Sequence, residues 1–237
     1  MRSCRACRVS VVIPARDEAA AIRGVVSGVR SVLGPDAEVI VVDHGSTDGT
    51  AAEATAAGAQ AVTLSRHGGK GTALRSGFAR ARGRLVVTMD GDGQDDPRDI
   101  PRLLDAAQEA DVVIGSRFLG TFEPGAISPV NKVATRAFDA AIRLLFGGRM
   151  TDSQAGMRCF RTDALARIVV ESEEFEVETE MLVKALAAGL RVASVPVTRR
   201  PRSSGATSFR RVRHGLRIAF TIVRVRLATL ALKRAPR

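Results

Sequence analysis

Short apolar segments alternate with helical segments through the first half of the chain, and this alternation constrains the fold more than any other feature. The apolar segments are rich in β-branched residues and carry no polar alternation, which is typical of parallel strands buried on both faces. Strands separated by helices at regular spacing indicate a doubly wound α/β sheet. We predict a mostly parallel sheet with strands at Val9–Ile13, Glu38–Val42, Ala61–Leu64, Leu85–Met89 and Val112–Ile114.

Apolar residues at helical spacing predict the helices between and after these strands. We place them at Ala19–Leu33, from Ser46 or Asp48 to Gly58, from the Gly68–Gly71 loop to Ala81, and at Asp99–Glu109, Val130–Phe146 and Glu178–Ala188. Thr151–Arg161 is predicted as a loop or short strand, and Arg191–Val197 as a strand. A chain of 237 residues suits one sizeable domain, which we place at residues 9–207 after an extension of residues 1–8.

Polar clusters follow three of the predicted strands: Pro14–Glu18, Asp43–Ser46 and Asp90–Asp92. The carboxyl ends of parallel strands share one edge of a sheet, and ligands of open α/β sheets bind beyond that edge. The three clusters therefore predict a single site.

Asp90 and Asp92 are two carboxylates one residue apart at a predicted turn, and Gln94 adds a third side-chain oxygen. Hard divalent cations such as Mg²⁺ or Mn²⁺ prefer oxygen ligands. A cation beside a diphosphate leaving group stabilises the transition state more than the ground state, because negative charge grows as the group departs. We predict a metal site at Asp90, Asp92 and Gln94; an exposed acidic turn is the alternative.

Several stretches, in a fixed order, cover most of Val9–Phe209: VVIPARDE (11–18), VIVVDHGSTDGT (39–50), GGKGTALRSG (68–77), VVTMDGDGQDDPRDIPRLL (86–104), ADVVIGSRF (110–118), SPVNKVATRAF (128–138), DSQAGMRCFR (152–161) and EVETEMLVKALAAGLRVASVPV (176–197). With them the chain resembles the family 2 glycosyltransferases of the GT-A (Rossmann-like) fold. Within that family it is most similar to the dolichyl- and polyprenyl-phosphate sugar transferases. The resemblance implies that residues 9–207 form a catalytic domain.

The resemblance also implies roles for individual residues. Those lining the pocket for the nucleotide-sugar donor would be Pro14, Arg16, Glu18, Val42, His44, Lys70, Asp90 and Gly91. Asp92 would meet the diphosphate and its metal. Basic residues that bind phosphates of donor or acceptor would be Arg117, Lys132, Arg158 and Arg202. The implied reaction moves a hexose from a donor of the GDP-mannose or UDP-glucose type to a polyprenyl phosphate, with inversion.

A phosphate acceptor is already an anionic nucleophile, so it needs cations to orient it and no base to deprotonate it. Transfer to a hydroxyl of a small molecule or saccharide would instead need a general base, for which Glu178 and Glu180 are the candidates. Both glutamates have a structural alternative at the start of a helix. His44 stands where the family has Asp, so the base identity stays open, and a non-catalytic nucleotide-sugar-binding protein is a further alternative.

The C-terminal segment, residues 208–237, is basic and amphipathic. From Arg199 to Arg237 there are twelve Arg or Lys and no Asp or Glu, within a chain whose net charge is +11. Apolar residues at 212, 216, 219, 220, 223, 227, 230 and 231 form one helical face, with Arg210, His214, Arg217 and Arg224 opposite. We predict a helix that lies on an anionic membrane surface, or one that packs on the catalytic domain.

The remaining features bear on location and partners. No apolar run approaches the ~20 residues that span a bilayer, and no signal peptide is evident. We expect a cytoplasmic protein, peripheral on the cytoplasmic face of the membrane. Cys4 and Cys7 form a lone CxxC that we interpret as incidental, and an odd cysteine count suits a reducing compartment. Nucleic acid is not an expected partner, because no aromatic platform accompanies the basic segment.

Overall fold

The computed structural model describes residues 9–65, 68–202 and 210–234. Its strands are β1 (Val9–Ala15), β2 (Glu38–Asp43), β3 (Gln60–Thr63), β4 (Leu85–Thr88), β5 (Val112–Phe122), β6 (Arg158–Arg161) and β7 (Val192–Arg199). Its helices are α1 (Ala19–Leu33), α2 (Thr50–Ala56), α3 (Lys70–Phe78), α4 (Ile100–Ala106), α5 (Pro129–Phe146), α6 (Thr162–Leu165), α7 (Val177–Ala187) and α8 (Arg211–Arg234). The extension with Cys4 and Cys7, and the predicted domain boundary at 207, lie outside the described residues.

The seven strands form one sheet in the order β3-β2-β1-β4-β6-β5-β7. All neighbouring pairs are parallel except those of β6, which runs antiparallel to both β4 and β5. The predicted mostly parallel α/β sheet is confirmed. The carboxyl ends of β1, β2, β4, β5 and β7 consequently lie along the same edge.

Both faces of the sheet are buried under helices, which explains the apolar runs. On β1, Val11 and Ile13 point into the core beneath α1 and α4, whereas Val12 points into the core beneath α3 and α7. Because both sides of the strand are covered, apolar side chains are favoured along it. Ser10 is a buried polar exception, and its hydroxyl donates to Glu38 Oε2 at 2.6 Å.

β5 differs from the sequence-based expectation, whereas β6 is the short strand that was expected within Thr151–Arg161. β5 continues to Phe122, eight residues past its predicted end at Ile114, because its second half pairs with β7 at Thr121 and Phe122 after a register shift. This half is largely exposed and includes polar residues and glycine, so the apolar-run criterion missed it. β6 is a strand of four residues whose two neighbours run the other way.

α8 packs on the α/β domain and also exposes apolar residues. Ile218, Ile222 and Val225 are buried against α5 and α7. The predicted apolar face lies on the other side, where exposed residues include Val212, Leu216, Phe220, Val223 and Leu227. Within the described ranges, no helix is both long and apolar enough to cross a membrane.

Candidate active site

A cavity of about 1160 Å³ opens at the carboxyl edge of the sheet and extends between α5 and α8. Ligand pockets usually measure about 300–1,000 Å³, so this cavity has room for a large ligand or for two. Predicted residues that line it are Pro14, Arg16, Glu18, His44, Lys70, Asp90, Gly91, Asp92, Gln94, Arg117, Glu178 and Arg202. The predicted single site at this edge is therefore present as one cavity.

The turn after β1 is fastened to the turn after β2. Asp17 has a left-handed φ of 53°, and its backbone N–H donates to Ser46 Oγ at 2.9 Å. Its carboxylate accepts from the Thr47 backbone N–H at 2.8 Å, and Thr50 Oγ1 accepts from the Glu18 N–H at 2.9 Å. These bonds hold the two polar clusters side by side. They explain why polar residues follow both strands.

The glycine-rich loop packs its backbone against residues 172–174. A Cβ at Gly69 would lie 2.1 Å from the Glu173 carbonyl oxygen, and one at Gly71 would lie 2.1 Å from the Ser172 carbonyl oxygen. Glycine is therefore required on both sides of Lys70, which begins α3. His44 Nδ1 lies 2.6 Å from the Gly68 carbonyl oxygen, which joins this loop to the end of β2.

Lys70 bridges two carboxylates inside the cavity. Its Nζ lies 2.6 Å from Asp90 Oδ1 and 2.5 Å from Glu178 Oε1. Burial alone lowers the pKa of Lys70, but the charges of Asp90 and Glu178 outweigh it and raise the pKa above its usual value. Lys70 is thus a fixed positive charge beside the acidic turn.

Arg199, at the end of β7, is a site residue that the sequence reasoning missed. Its Nη1 lies 3.2 Å from Asp90 Oδ2 and 2.5 Å from Asp95 Oδ1, and its Nη2 donates to Gln94 Oε1 at 2.8 Å. It also lines the cavity. Its position at the carboxyl end of a parallel strand, where the other polar clusters also lie, could have identified it from the sequence.

The two aspartates of the acidic turn differ electrostatically. Burial raises the pKa of Asp90, but Lys70 and Arg199 outweigh it and hold that pKa well below its usual value. Burial and the charge of Asp90 raise the pKa of Asp92. Gly156 lies under Asp90 so closely that a Cβ there would be 2.7 Å from Asp90 Oδ1.

Glu18 and Arg202 complete the carboxylate cluster. Arg202 Nη1 lies 3.1 Å from Asp92 Oδ2, and its Nη2 contacts Glu18 Oε1. Glu18 is 8% exposed, and its Oε2 is buried with no hydrogen-bond partner among the described residues. Burial raises the pKa of Glu18 to about 7, with Arg202 opposing and Asp92 adding to the rise.

Arg117 reaches the cavity from β5 and is held by Asp152. Asp152 accepts from Arg117 Nε at 2.7 Å and from Nη2 at 2.6 Å. The Asp139 carboxylate on α5 accepts from the backbone N–H groups of Asp152 and Ser153, each at 2.8 Å. The guanidinium is therefore oriented by a chain of bonds that begins on α5.

Four predicted site residues do not line the cavity. Arg158 is fully buried, and its guanidinium donates to the carbonyl oxygens of Ala155, Ser153 and Glu178. Burial lowers the pKa of Arg158 to about 10. This side chain holds the loop before β6 and cannot reach a bound phosphate.

The other three are Val42, Lys132 and Glu180. Val42 is a core residue packed with Ile40 and Ala73, and Lys132 Nζ lies 4.4 Å from the centre of the Phe122 ring. Glu180 is fully buried, and its carboxylate accepts from the backbone N–H groups before α7. These contacts are those expected of the structural alternative for Glu180.

The cavity contains side-chain oxygen atoms of the type that hard divalent cations prefer as ligands. Glu18, Asp90, Asp92 and Gln94 all line the cavity, and the buried Glu18 Oε2 accepts no hydrogen bond from the residues that the structure describes. As the side chains stand, no three His, Cys, Asp or Glu residues in the described part of the chain are grouped to hold a metal ion. The carboxylates are instead paired with Lys70, Arg199 and Arg202.

The far end of the cavity is a groove between α5 and α8. Its apolar lining comes from Ile127, Ala134, Phe138 and Ile218, and Arg210 and Arg213 stand on the α8 side. Val130 and Val133, near the start of α5, are exposed apolar residues. The groove thus combines apolar walls with guanidinium groups.

Comparison with known proteins identifies the family. Residues 10–169 match the model described as Glycosyl transferase family 2. The chain belongs to glycosyltransferase family 2. This family 2 chain is 35% identical to glycosyltransferase AglJ of Haloferax volcanii over 84% of its own length and 65% of that protein. It is 32% identical to the undecaprenyl-phosphate mannosyltransferase of Micrococcus luteus over 81% of its length and 83% of that protein.

Solved structures confirm the GT-A fold for this family 2 chain. Glucosyl-3-phosphoglycerate synthase from Mycobacterium tuberculosis, solved with Mn²⁺, UDP and glucosyl-3-phosphoglycerate, superposes with a TM-score of 0.75. The two are 24% identical, over 93% of this chain and 80% of that one. A complex of the same synthase with Mg²⁺ and UDP gives a TM-score of 0.73 at 23% identity.

Proposed function

We propose that the protein transfers a hexose from a nucleotide diphosphate sugar to a polyprenyl phosphate. The observation that carries this proposal is the single cavity that joins the acidic edge of the sheet to the groove between α5 and α8. One end has the chemistry for a nucleotide diphosphate and the other for an anion with an apolar chain. The name of the Micrococcus luteus relative, an undecaprenyl-phosphate mannosyltransferase, supports this acceptor class.

The donor end would hold a sugar nucleotide of the GDP-mannose or UDP-glucose type. Asp90, Asp92 and Gln94 would hold Mg²⁺ or Mn²⁺, which supplies positive charge to the diphosphate as it leaves. Lys70 adds a fixed positive charge beside it. The Mn²⁺ and Mg²⁺ complexes of the fold neighbour with UDP support a metal of this kind.

The acceptor phosphate would bind to Arg117 and Arg202, with Arg210 and Arg213 on the α8 side of the groove. Arginine suits phosphate because its planar fork donates two parallel hydrogen bonds. A phosphate oxygen attacks the anomeric carbon opposite the diphosphate, the bond to the diphosphate oxygen breaks, and the configuration inverts. No proton needs to be removed from the acceptor.

The exposed apolar strip of α8 supports a peripheral position on an anionic membrane. Val212, Leu216, Phe220, Val223 and Leu227 would enter the lipid interface while neighbouring arginines meet phosphate groups. A polyprenyl phosphate keeps its chain in the bilayer, so its phosphate could reach the groove from there. On this proposal the protein works at the cytoplasmic face.

The test is a screen of UDP- and GDP-sugars with Mn²⁺ or Mg²⁺, with and without a short polyprenyl phosphate. It reads release of the nucleoside diphosphate and formation of glycolipid. We expect product only with lipid, with metal and with one donor. Donor hydrolysis with no glycolipid would contradict the acceptor assignment and leave the transferase assignment intact.

A hydroxyl acceptor is the second candidate, and Glu178 is the observation that favours it. This glutamate lines the cavity and is paired with Lys70, whereas Glu180 does not reach the cavity. The solved complexes of the fold neighbour include one with phosphoglyceric acid and one with glucosyl-3-phosphoglycerate. Loss of turnover in Glu178→Gln with donor binding retained, and no glycolipid in the screen, would favour this candidate.

A further inference from the structure

Three cationic side chains form ion pairs with the carboxylates that would bind the metal. Asp90 Oδ1 is paired with Lys70 and Asp90 Oδ2 with Arg199. Asp92 Oδ1 accepts from the Gln94 backbone N–H at 3.0 Å, and Asp92 Oδ2 faces Arg202 at 3.1 Å. A divalent cation at either oxygen of Asp90, or at Oδ2 of Asp92, therefore competes with a protein cation for that oxygen.

Arg202 is the most exposed of the three cations. Its side chain is 22% exposed, compared with 13% for Lys70 and 10% for Arg199. Lys70 is paired with Asp90 and Glu178, and Arg199 with Asp90, Asp95 and Gln94. Arg202 follows β7 and spans Glu18 and Asp92 from the more open side of the cluster.

Charge balance makes the departure of Arg202 conditional on a replacement. The carboxylates of Glu18, Asp90, Asp92, Asp95 and Glu178 outnumber the cations Lys70, Arg199 and Arg202. Removing Arg202 alone would leave Glu18 and Asp92 as neighbouring buried anions, which is costly in a site of low dielectric constant. The buried Glu18 Oε2, with no partner among the described residues, lies beside the same position.

We propose that Arg202 is an internal counter-ion that is paired with Asp92 in the proposed metal site of Asp90, Asp92 and Gln94, and that it is exchanged for the metal there. This inference rests on the metal-dependent donor site proposed above. The exchange couples two events, since the metal binds to Asp92 only as the guanidinium leaves it. The displaced Arg202 remains at the cavity and becomes the positioning residue for an incoming phosphate, so the acceptor site is completed only after the metal is bound.

The test is Mn²⁺ binding without nucleotide or lipid, measured by electron paramagnetic resonance of free Mn²⁺. Arg202→Gln should bind Mn²⁺ at least tenfold more tightly than the wild-type protein, because the competing guanidinium is gone. Arg200→Gln is the matched control: Arg200 carries the same charge two residues earlier but pairs with Asp96 at 2.6 Å. It should change Mn²⁺ affinity less than threefold.

A second measurement uses the wild-type protein. Modification by phenylglyoxal, followed peptide by peptide with mass spectrometry, should become faster at Arg202 when Mn²⁺ is added and stay unchanged at Arg200. Unchanged or weaker Mn²⁺ binding in Arg202→Gln, or no effect of Mn²⁺ on Arg202 modification, overturns the exchange. The screen for glycolipid reads the proposed transfer separately, so failure of the exchange is distinguishable from failure of the transfer.

Discussion

Asp92 stands between charges of both signs. Burial and the charge of Asp90 raise the pKa of Asp92, while Arg199 opposes the rise. We expect Asp92→Asn to lower kcat by at least about a hundredfold, because a neutral amide neither binds the metal well nor balances the diphosphate. The measurement is nucleoside diphosphate release with Mn²⁺ at saturating donor.

The matched control is Asp96→Asn. Asp96 is an aspartate four residues later that pairs with Arg98 and Arg200 and does not line the cavity. It should keep kcat within about threefold of wild type. Near-normal turnover in Asp92→Asn would refute the metal assignment.

Glu180 is a buried carboxylate whose contacts are entirely structural. It accepts from the backbone N–H groups of Glu171 and Ser172 and pairs with Lys184 at 2.9 Å. We expect Glu180→Gln to lower the free energy of unfolding by about 3 kcal/mol, because Lys184 loses its buried partner. Urea denaturation measures this. Glu171→Gln, whose side chain is 55% exposed, should change the value by less than about 0.5 kcal/mol.

Position at a strand end predicted Asp90 and Asp92 as site residues, and the family resemblance implied Lys70, Arg117 and Arg202. All five line the cavity. Arg158 and Lys132, which the resemblance also implied, do not line it, because a motif gives a position along the chain and no direction for the side chain. Whether a long basic side chain turns toward a ligand or toward buried carbonyl groups depends on packing that only the fold defines.

At the scale of elements, two glycines with opposite surroundings give a paired prediction. Gly71, the second residue of α3, packs against the backbone of residues 172 and 173, whereas Gly215 in α8 has open space around its Cβ position. Gly71→Ala should lower the free energy of unfolding by about 1–3 kcal/mol through a steric clash. Gly215→Ala should raise it by up to about 1 kcal/mol, since alanine favours the helix.

Thermal and urea unfolding of the two variants measure this difference. Equal effects of the same sign would contradict the packing of the glycine-rich loop.

Apolar periodicity predicted the bounds of a helix well where one face of the helix is buried along its whole length. α1 begins and ends at Ala19 and Leu33 as predicted, because one face is buried along its whole length. In α8 the sequence-based assignment selected the apolar residues that turn out to be exposed and left out Ile218, Ile222 and Val225. This helix is apolar on two sides, so periodicity alone could not determine which side meets the domain.

For the whole molecule, the apolar strip of α8 predicts binding to anionic vesicles. Leu216 and Phe220 are 67% and 68% exposed. Replacing both with Ser should weaken sedimentation with phosphatidylglycerol-containing vesicles by about tenfold, since each large apolar side chain contributes roughly 1 kcal/mol or more at a lipid interface.

The control replaces Leu144 and Val169 with Ser, because these exposed apolar residues lie outside α8. Leu144 is on α5, and Val169 is in the loop between α6 and α7. Binding should then be unchanged. Equal weakening in both double variants would contradict a specific role for α8.

The contact between Gly156 and Asp90 has a consequence for how the sequence tolerates change. A methyl group at position 156 would overlap a carboxylate that is fixed from two sides by Lys70 and Arg199. In a saturation library selected for activity, position 156 should therefore be among the least permissive sites, although glycine there has no side chain to contact any substrate. Intolerance at that position would reflect the volume that the neighbouring carboxylate occupies.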